Sequence, residues 1–178
     1  MLLGFDLTVD SKNSDVYDLT FGAFSPSLGQ SGYTGATDSQ KSAYLTYVAT
    51  LLQLGGASAA DAKKQAQQIW ELESSVAAKS LTNQELYDVD KTYNLYTMTQ
   101  LQNLFPNVDL NAVFAQTGYT QTDKIVVADV GELKACAAYF NAAHLELLKT
   151  YCRLDLTANY GALLSQDFID ASNAFQQD

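Results

Sequence analysis

Few side chains in this sequence are able to do chemistry of their own. There is one histidine, His144, in 178 residues. A helical zinc hydrolase needs two histidines one turn apart with a glutamate between them as base, because only that spacing turns both imidazoles to one ion. One turn beyond His144 stands Leu148, so His144-Leu145-Glu146 lacks a second imidazole and reads as a residue near a helix start. A serine or cysteine nucleophile needs a base beside it, normally histidine. Cys136 and Cys152 fall in helical patterns rather than glycine-framed turns, and no Gly-x-Ser-x-Gly elbow occurs.

Carboxylates are more abundant. Asp88 with Asp90, and Glu71 with Glu73, are the nearest pairs. Glycosidase-type chemistry needs two acids facing across a cleft with their pKa values driven apart, and an acidic chain produces neighbouring acids by chance. Asp10, Asp15 and Asp18 lack the order of a calcium loop. No phosphate-cradling glycine loop follows a strand. The sequence therefore assigns no catalytic, cofactor-binding or metal-ligating residue, and its cofactor expectation is none in this chain.

The elements that would have to position a site are mostly helical. Phe5, Leu7 and Val9 alternate with polar residues, Asp10 to Ser14 supplies turn chemistry, and Val16 to Phe21 resumes an extended pattern, which predicts an N-terminal β-hairpin. Ser25 to Asp38 is loop-like, with Pro26, Gly29, Gly32 and Gly35. From Asp38 the period becomes helical: Tyr44, Tyr47, Val48, Leu51 and Leu52 share a face, and Gly55-Gly56 ends the helix. Ser58 with Asp61 opens a second helix, whose apolar stripe runs through Ala62, Ala66, Ile69, Leu72 or Glu73, and Val76.

Thr82 with Glu85 and Thr97 with Gln100 repeat the capping pattern before two short helices, and Asp109 opens another that ends at Gly118. Lys124 to Ala128 is predicted to be one short isolated strand. Helices are predicted over about Val130 to Asn141 and about His144 to Leu164, with Ser165 capping a last one. The fold class is mainly α: a multi-helix lobe with an N-terminal hairpin and that single strand.

Composition narrows the function. Hydrophobic residues make up 47% and charged residues 17%, a globular balance, with eleven tyrosines and eight phenylalanines to fill a core. Twenty acids oppose ten bases and Arg153 is the one arginine, so no basic stripe exists to displace counterions from a nucleic acid. No stretch approaches the roughly 18 apolar residues of a membrane span, and Met1 to Asp6 does not read as a signal peptide. Two cysteines are too few for a disulfide framework; read as reduced, packed thiols, they predict a cytoplasmic protein.

One ordered set of residues goes further. Glu73 to Ala77, then Glu85-Leu86-Tyr87-Asp88, then Tyr93-Asn94, Thr97, Pro106 and Asp109 resembles the N-terminal lobe of the neprilysin-like zinc endopeptidases. Upstream, Asp10-Ser11-Lys12-Asn13 is similar to that family's hairpin turn. Downstream, Val126-Val127, Leu148-Lys149-Thr150-Tyr151 and Ala171 to Phe175 fall in the family's order. The sequence departs from the pattern at Tyr87, where arginine is common, at Leu110, where tryptophan is common, and in the Ser25 to Gly35 loop, which lacks the usual Leu-Pro.

The resemblance implies that residues 1–178 are a fragment of the helical lid lobe of a two-lobed peptidase. The zinc-binding lobe is then absent from this chain, and zinc is expected in the full-length parent. It implies two partners, the catalytic lobe of the same polypeptide and the oligopeptide substrates of the parent, and it agrees with no nucleic acid and no membrane. The lobe alone is expected to be inactive, to expose an apolar face that its partner covers, and to share the cytoplasmic location of bacterial relatives. The competing readings are an independent helical protein-binding module and a self-contained hydrolase using Glu or Asp pairs.

Overall fold

A computed structural model describes residues 2–119 and 124–177. The predicted hairpin is present. Strand β1 (Leu3–Asp10) pairs antiparallel with β2 (Asn13–Ala23), matching Phe5 with Phe21, Leu7 with Leu19 and Val9 with Tyr17. Alternate residues of a strand share a face, and on this one Phe5, Leu19 and Phe21 are buried while Leu7, Val9 and Tyr17 are exposed. The hairpin tip thus outruns the helices that cover its base.

The mainly helical class holds, but the third strand is not isolated. β4 (Ile125–Val127) lies parallel to β2 and antiparallel to β3 (Asn94–Tyr96), giving a four-stranded sheet in the order β1-β2-β4-β3. All three residues of β4 are buried. A buried strand needs partners for its backbone N–H and C=O groups, and here they come from segments far away in sequence.

The helices follow their predicted starts closely. A single turn, α1 (Ser31–Thr34), sits inside the loop-like stretch. α2 (Asp38–Leu54) opens on a capping box between Thr37 and Gln40, and α3 (Ala59–Ala77) opens on Ser58, whose hydroxyl accepts the Asp61 N–H. Between them Gly56 has φ +98°, the left-handed conformation that favours glycine. Every predicted stripe position of α3 is buried, Leu72 and Glu73 both included.

Thr82 and Glu85 form their reciprocal cap over a 3-10 turn rather than an α-helix. Then come α4 (Val89–Thr92), α5 (Met98–Leu104) capped by Thr97, and α6 (Leu110–Ala115) capped by Asp109. The last three are α7 (Val130–Ala137), α8 (Leu145–Tyr160) and α9 (Gln166–Gln177). α7 and α8 are shorter than predicted. Asn141 closes a turn over Ala143 and His144 before α8 starts, and a 3-10 turn at Gly161–Leu163 ends it.

The core is one continuous body. Its spine is a relay of rings running Phe114, Phe5, Phe21, Phe105, Phe140, Phe24 and Tyr151, with neighbouring centroids 4.6 to 6.4 Å apart. It joins the sheet to α8, and each tilted or edge-on contact contributes about 1 kcal/mol beyond burial. α9 lies against α2, where Phe175 stacks on Tyr47 with centroids 4.6 Å apart. At the far end of α8, Leu156 and Tyr160 are exposed one turn apart, and Leu163 and Leu164 are exposed in the turn that follows. No described helix is long and apolar enough to cross a membrane.

Candidate functional site

The motif residues converge on two buried polar clusters. The first surrounds Glu73, on the inner face of α3 and fully buried. Its Oε2 accepts hydrogen bonds from the Tyr33 hydroxyl at 2.6 Å and from the Tyr44 hydroxyl; its Oε1 accepts the Ser27 backbone N–H at 3.0 Å and lies 3.3 Å from the Tyr151 hydroxyl. Burial first, and then the Glu73 charge, push the phenols of Tyr33, Tyr44 and Tyr151 well above their ordinary range, so they remain donors. Among the described residues no lysine, arginine or histidine forms an ion pair with Glu73. One carboxylate therefore ties the loop after β2, α1, α2 and α8 to α3.

The second cluster closes the open end of the sheet. Asp10 Oδ1 accepts the Lys12 and Asn13 N–H groups, which shapes the hairpin turn. Asp10 Oδ2 accepts the Tyr93 hydroxyl at 2.8 Å and Lys124 Nζ at 2.7 Å, while Lys124 also meets Asp18 Oδ1 at 2.6 Å. The Lys124 ammonium, the Lys12 N–H and then the Tyr93 hydroxyl hold the Asp10 carboxyl far below the usual carboxylate range, and the two aspartates raise Lys124 in return. Asn94 completes the join, donating through Nδ2 to the Val127 carbonyl at 3.0 Å. The Tyr-Asn pair and the Asp-x-Lys-Asn turn are thus two halves of one clasp between β1, β2, β3 and β4.

The sequence-level candidates for chemistry do not assemble into a site. Glu71 and Glu73 sit two residues apart on one helix and point to different sides: Glu71 is exposed and accepts from Gln67, while Glu73 is buried. Asp88 caps α4 and Asp90 is exposed, so no cleft separates them. Asp10 and Asp18 meet through Lys124, and Asp15 is exposed on the hairpin.

The histidine and the buried thiol are held in the same structural way. Burial pushes the Cys136 thiol up, and its Sγ donates to the Phe24 carbonyl at 3.1 Å. His144 lies at the start of α8, its Nδ1 3.1 Å from Asn141 Oδ1 and its ring 4.9 Å from that of Tyr139. Among the described residues no group of three His, Cys, Asp or Glu is placed to hold a metal ion. The donors among the described residues therefore do not fit zinc.

What sequence reasoning missed was Glu73 as a hub. The available signal was its place on an otherwise apolar stripe of α3, where a charged side chain has to be hydrogen-bonded to be tolerated.

Buried polar groups join sheet, loop and helices into one mainly helical fold. The chain belongs to Peptidase family M13, whose N-terminal model matches residues 1–178; this is the neprilysin-like family that the ordered motifs resemble.

It is similar to endothelin-converting enzyme 1 of Rattus norvegicus, 27% identical over 179 residues, which are 96% of this chain and 24% of that protein. The Homo sapiens enzyme is also 27% identical, over 96% of this chain and 23% of that protein. In fold it is similar to the Mycobacterium tuberculosis zinc metalloprotease Zmp1 in its open state, with a TM-score of 0.84 and 24% identity, covering 98% of this chain and 28% of that one. The chain thus spans about a quarter of the length of the relatives it matches.

Proposed function

We propose that this chain is the non-catalytic helical lobe of a zinc metalloendopeptidase, and that it walls the chamber holding the catalytic zinc and limits entry to oligopeptides. The observation that carries the reading is the family match over residues 1–178 in a chain about a quarter as long as its relatives. The exposed apolar side chains at the end of α8 support it, as a surface suited to a partner lobe of the same polypeptide.

In this reading the zinc and its ligands lie elsewhere in the parent, where the ion would supply Lewis-acid chemistry. The contribution of this chain is shape. Access control needs a wall that does not yield, and the Glu73 hub and the Asp10 clasp tie its elements together at both ends.

The test uses the full-length polypeptide. Short peptides are expected to be cleaved, while the same sequence displayed in a loop of a folded protein is spared; comparable cleavage of both overturns the proposal. His144→Ala is expected to leave the zinc content of the parent unchanged, and loss of zinc counts directly against it. Absence of a His-Glu-x-x-His helix from the parent would sink the reading altogether. The proposal extends to a cytoplasmic location, on the reading of Cys136 and Cys152 as reduced thiols, and recovery of the parent in a secreted fraction overturns that part.

A further inference from the structure

An open cleft of about 610 Å3 lies between the end of α3 and α7. Lys79, just beyond α3, and Lys134, on α7, line it, and no aspartate or glutamate does. Elsewhere in this acidic chain lysines find acids: Lys12, Lys91, Lys124 and Lys149 all form ion pairs. Among the described residues neither Lys79 nor Lys134 forms one. Both are exposed, so two cationic side chains without acid partners share one accessible cleft.

The rest of the lining is small, aromatic or already hydrogen-bonded. Gly131, Ala135 and Ala138 recur at helical spacing, which puts three small residues on one face as a shallow floor. The Tyr139 ring, 4.9 Å from that of His144, adds an aromatic wall. Ser75 gives its one hydroxyl hydrogen to the Leu72 carbonyl at 2.8 Å, so in its 2.6 Å contact with Tyr139 the phenol is the donor. Both hydroxyl hydrogens are thereby used. The ring is held in place, and a ligand's charge is left to the two lysines.

We propose that this cleft binds an organic anion. Its carboxylate or phosphate head is held by Lys79 and Lys134, and a flat apolar body lies over the two alanines against Tyr139. The net charge of −10 does not forbid this. Screening at physiological salt confines electrostatics to about 8 Å, and no acid lines the cleft. The inference does not depend on the peptidase reading, because it rests on this chain's own lining.

The experiment titrates sodium benzoate into the full-length polypeptide and follows the methyl NMR signals of Ala135 and Ala138 and the ring signals of Tyr139. Benzyl alcohol and benzylammonium serve as neutral and cationic isosteres. Saturable benzoate shifts are expected at these three residues, with both isosteres weaker by about fivefold or more, the scale of exposed charge pairs. Lys79→Met and Lys134→Met keep the stems and remove the charges. Each is expected to weaken benzoate about threefold, and the double variant about tenfold. Ala138→Glu puts an acid at an exposed position of the cleft and is expected to abolish binding.

Phenyl phosphate and inorganic phosphate separate head from body. Phenyl phosphate binding more tightly than benzoate makes the preferred head a phosphate, and the reverse order makes it a carboxylate. Inorganic phosphate binding as tightly as phenyl phosphate overturns the role given to the apolar floor. Equal binding of benzyl alcohol, benzoate binding unmoved by the double lysine variant, or no saturable shift below about 10 mM overturns the proposal. The signals belong to the cleft's own residues, so a carboxylate site elsewhere in the polypeptide does not mimic them.

Discussion

Glu73 and Asp10 are both buried carboxylates, yet they are satisfied by different kinds of partner, and the difference sets what a substitution at each would do. Glu73 relies on neutral donors from four segments. Glu73→Ala leaves the partly buried Ser27 N–H without its acceptor and the Tyr33 and Tyr44 hydroxyls with Ser27 Oγ alone to share, and is expected to cost about 3 kcal/mol, since unsatisfied buried groups bear their full desolvation penalty. Urea unfolding followed by tryptophan fluorescence checks this, because Trp70 packs on Tyr33 and Tyr44.

Asp10 instead relies on a cation. Its folded pKa lies below the ordinary value of 3.8, so the unfolded chain takes up the proton more readily in acid. The stability it contributes is present above 3.8 and is lost as pH falls through its folded value. Asp10→Asn is expected to lower stability at neutral pH and to flatten the acid limb of a melting-temperature profile below 3.8.

At the scale of elements, packing turns on close approach as well as on polar ties. A Cβ added at Gly131, on α7, would lie 2.1 Å from the Lys79 carbonyl oxygen just beyond α3. That neighbour is backbone and cannot swing aside. Gly131→Ala is expected to destabilise by about 2 kcal/mol, the usual scale of overpacking, and to raise amide exchange in α7 before α2.

Legibility in the sequence also divides by element. α2 and α3 were readable because their apolar stripes span several turns and their caps are local, as at Ser58 and Asp61. The Lys124 to Ala128 strand was readable as a strand but not as part of a sheet, because its partners at Leu19 and Asn94 are remote. β3 and α4 are three and four residues long, too short for any period to show. Tyr93 and Asn94 were legible as a motif, while their hydrogen-bond partners were not, since a side-chain contact with Asp10 leaves no trace in local spacing.

For the whole molecule, the join between β2 and β4 has a temporal meaning. Leu19 pairs with Ile125, so the sheet closes a loop of roughly a hundred residues, and such closure is slow because its entropy is lost before the contacts form. During synthesis the hairpin emerges early, and its inner face, with Phe5, Leu19 and Phe21, must wait for β4 and the rings of Phe105 and Phe140. A ribosome-arrested chain that has exposed residues only through Tyr119 is therefore expected to show α2 and α3 protected from exchange and β2 unprotected. Protection in β2 should appear abruptly once Phe140 clears the exit tunnel. Until then the growing polypeptide carries an unfinished sheet edge, which is the form a nascent-chain chaperone would meet.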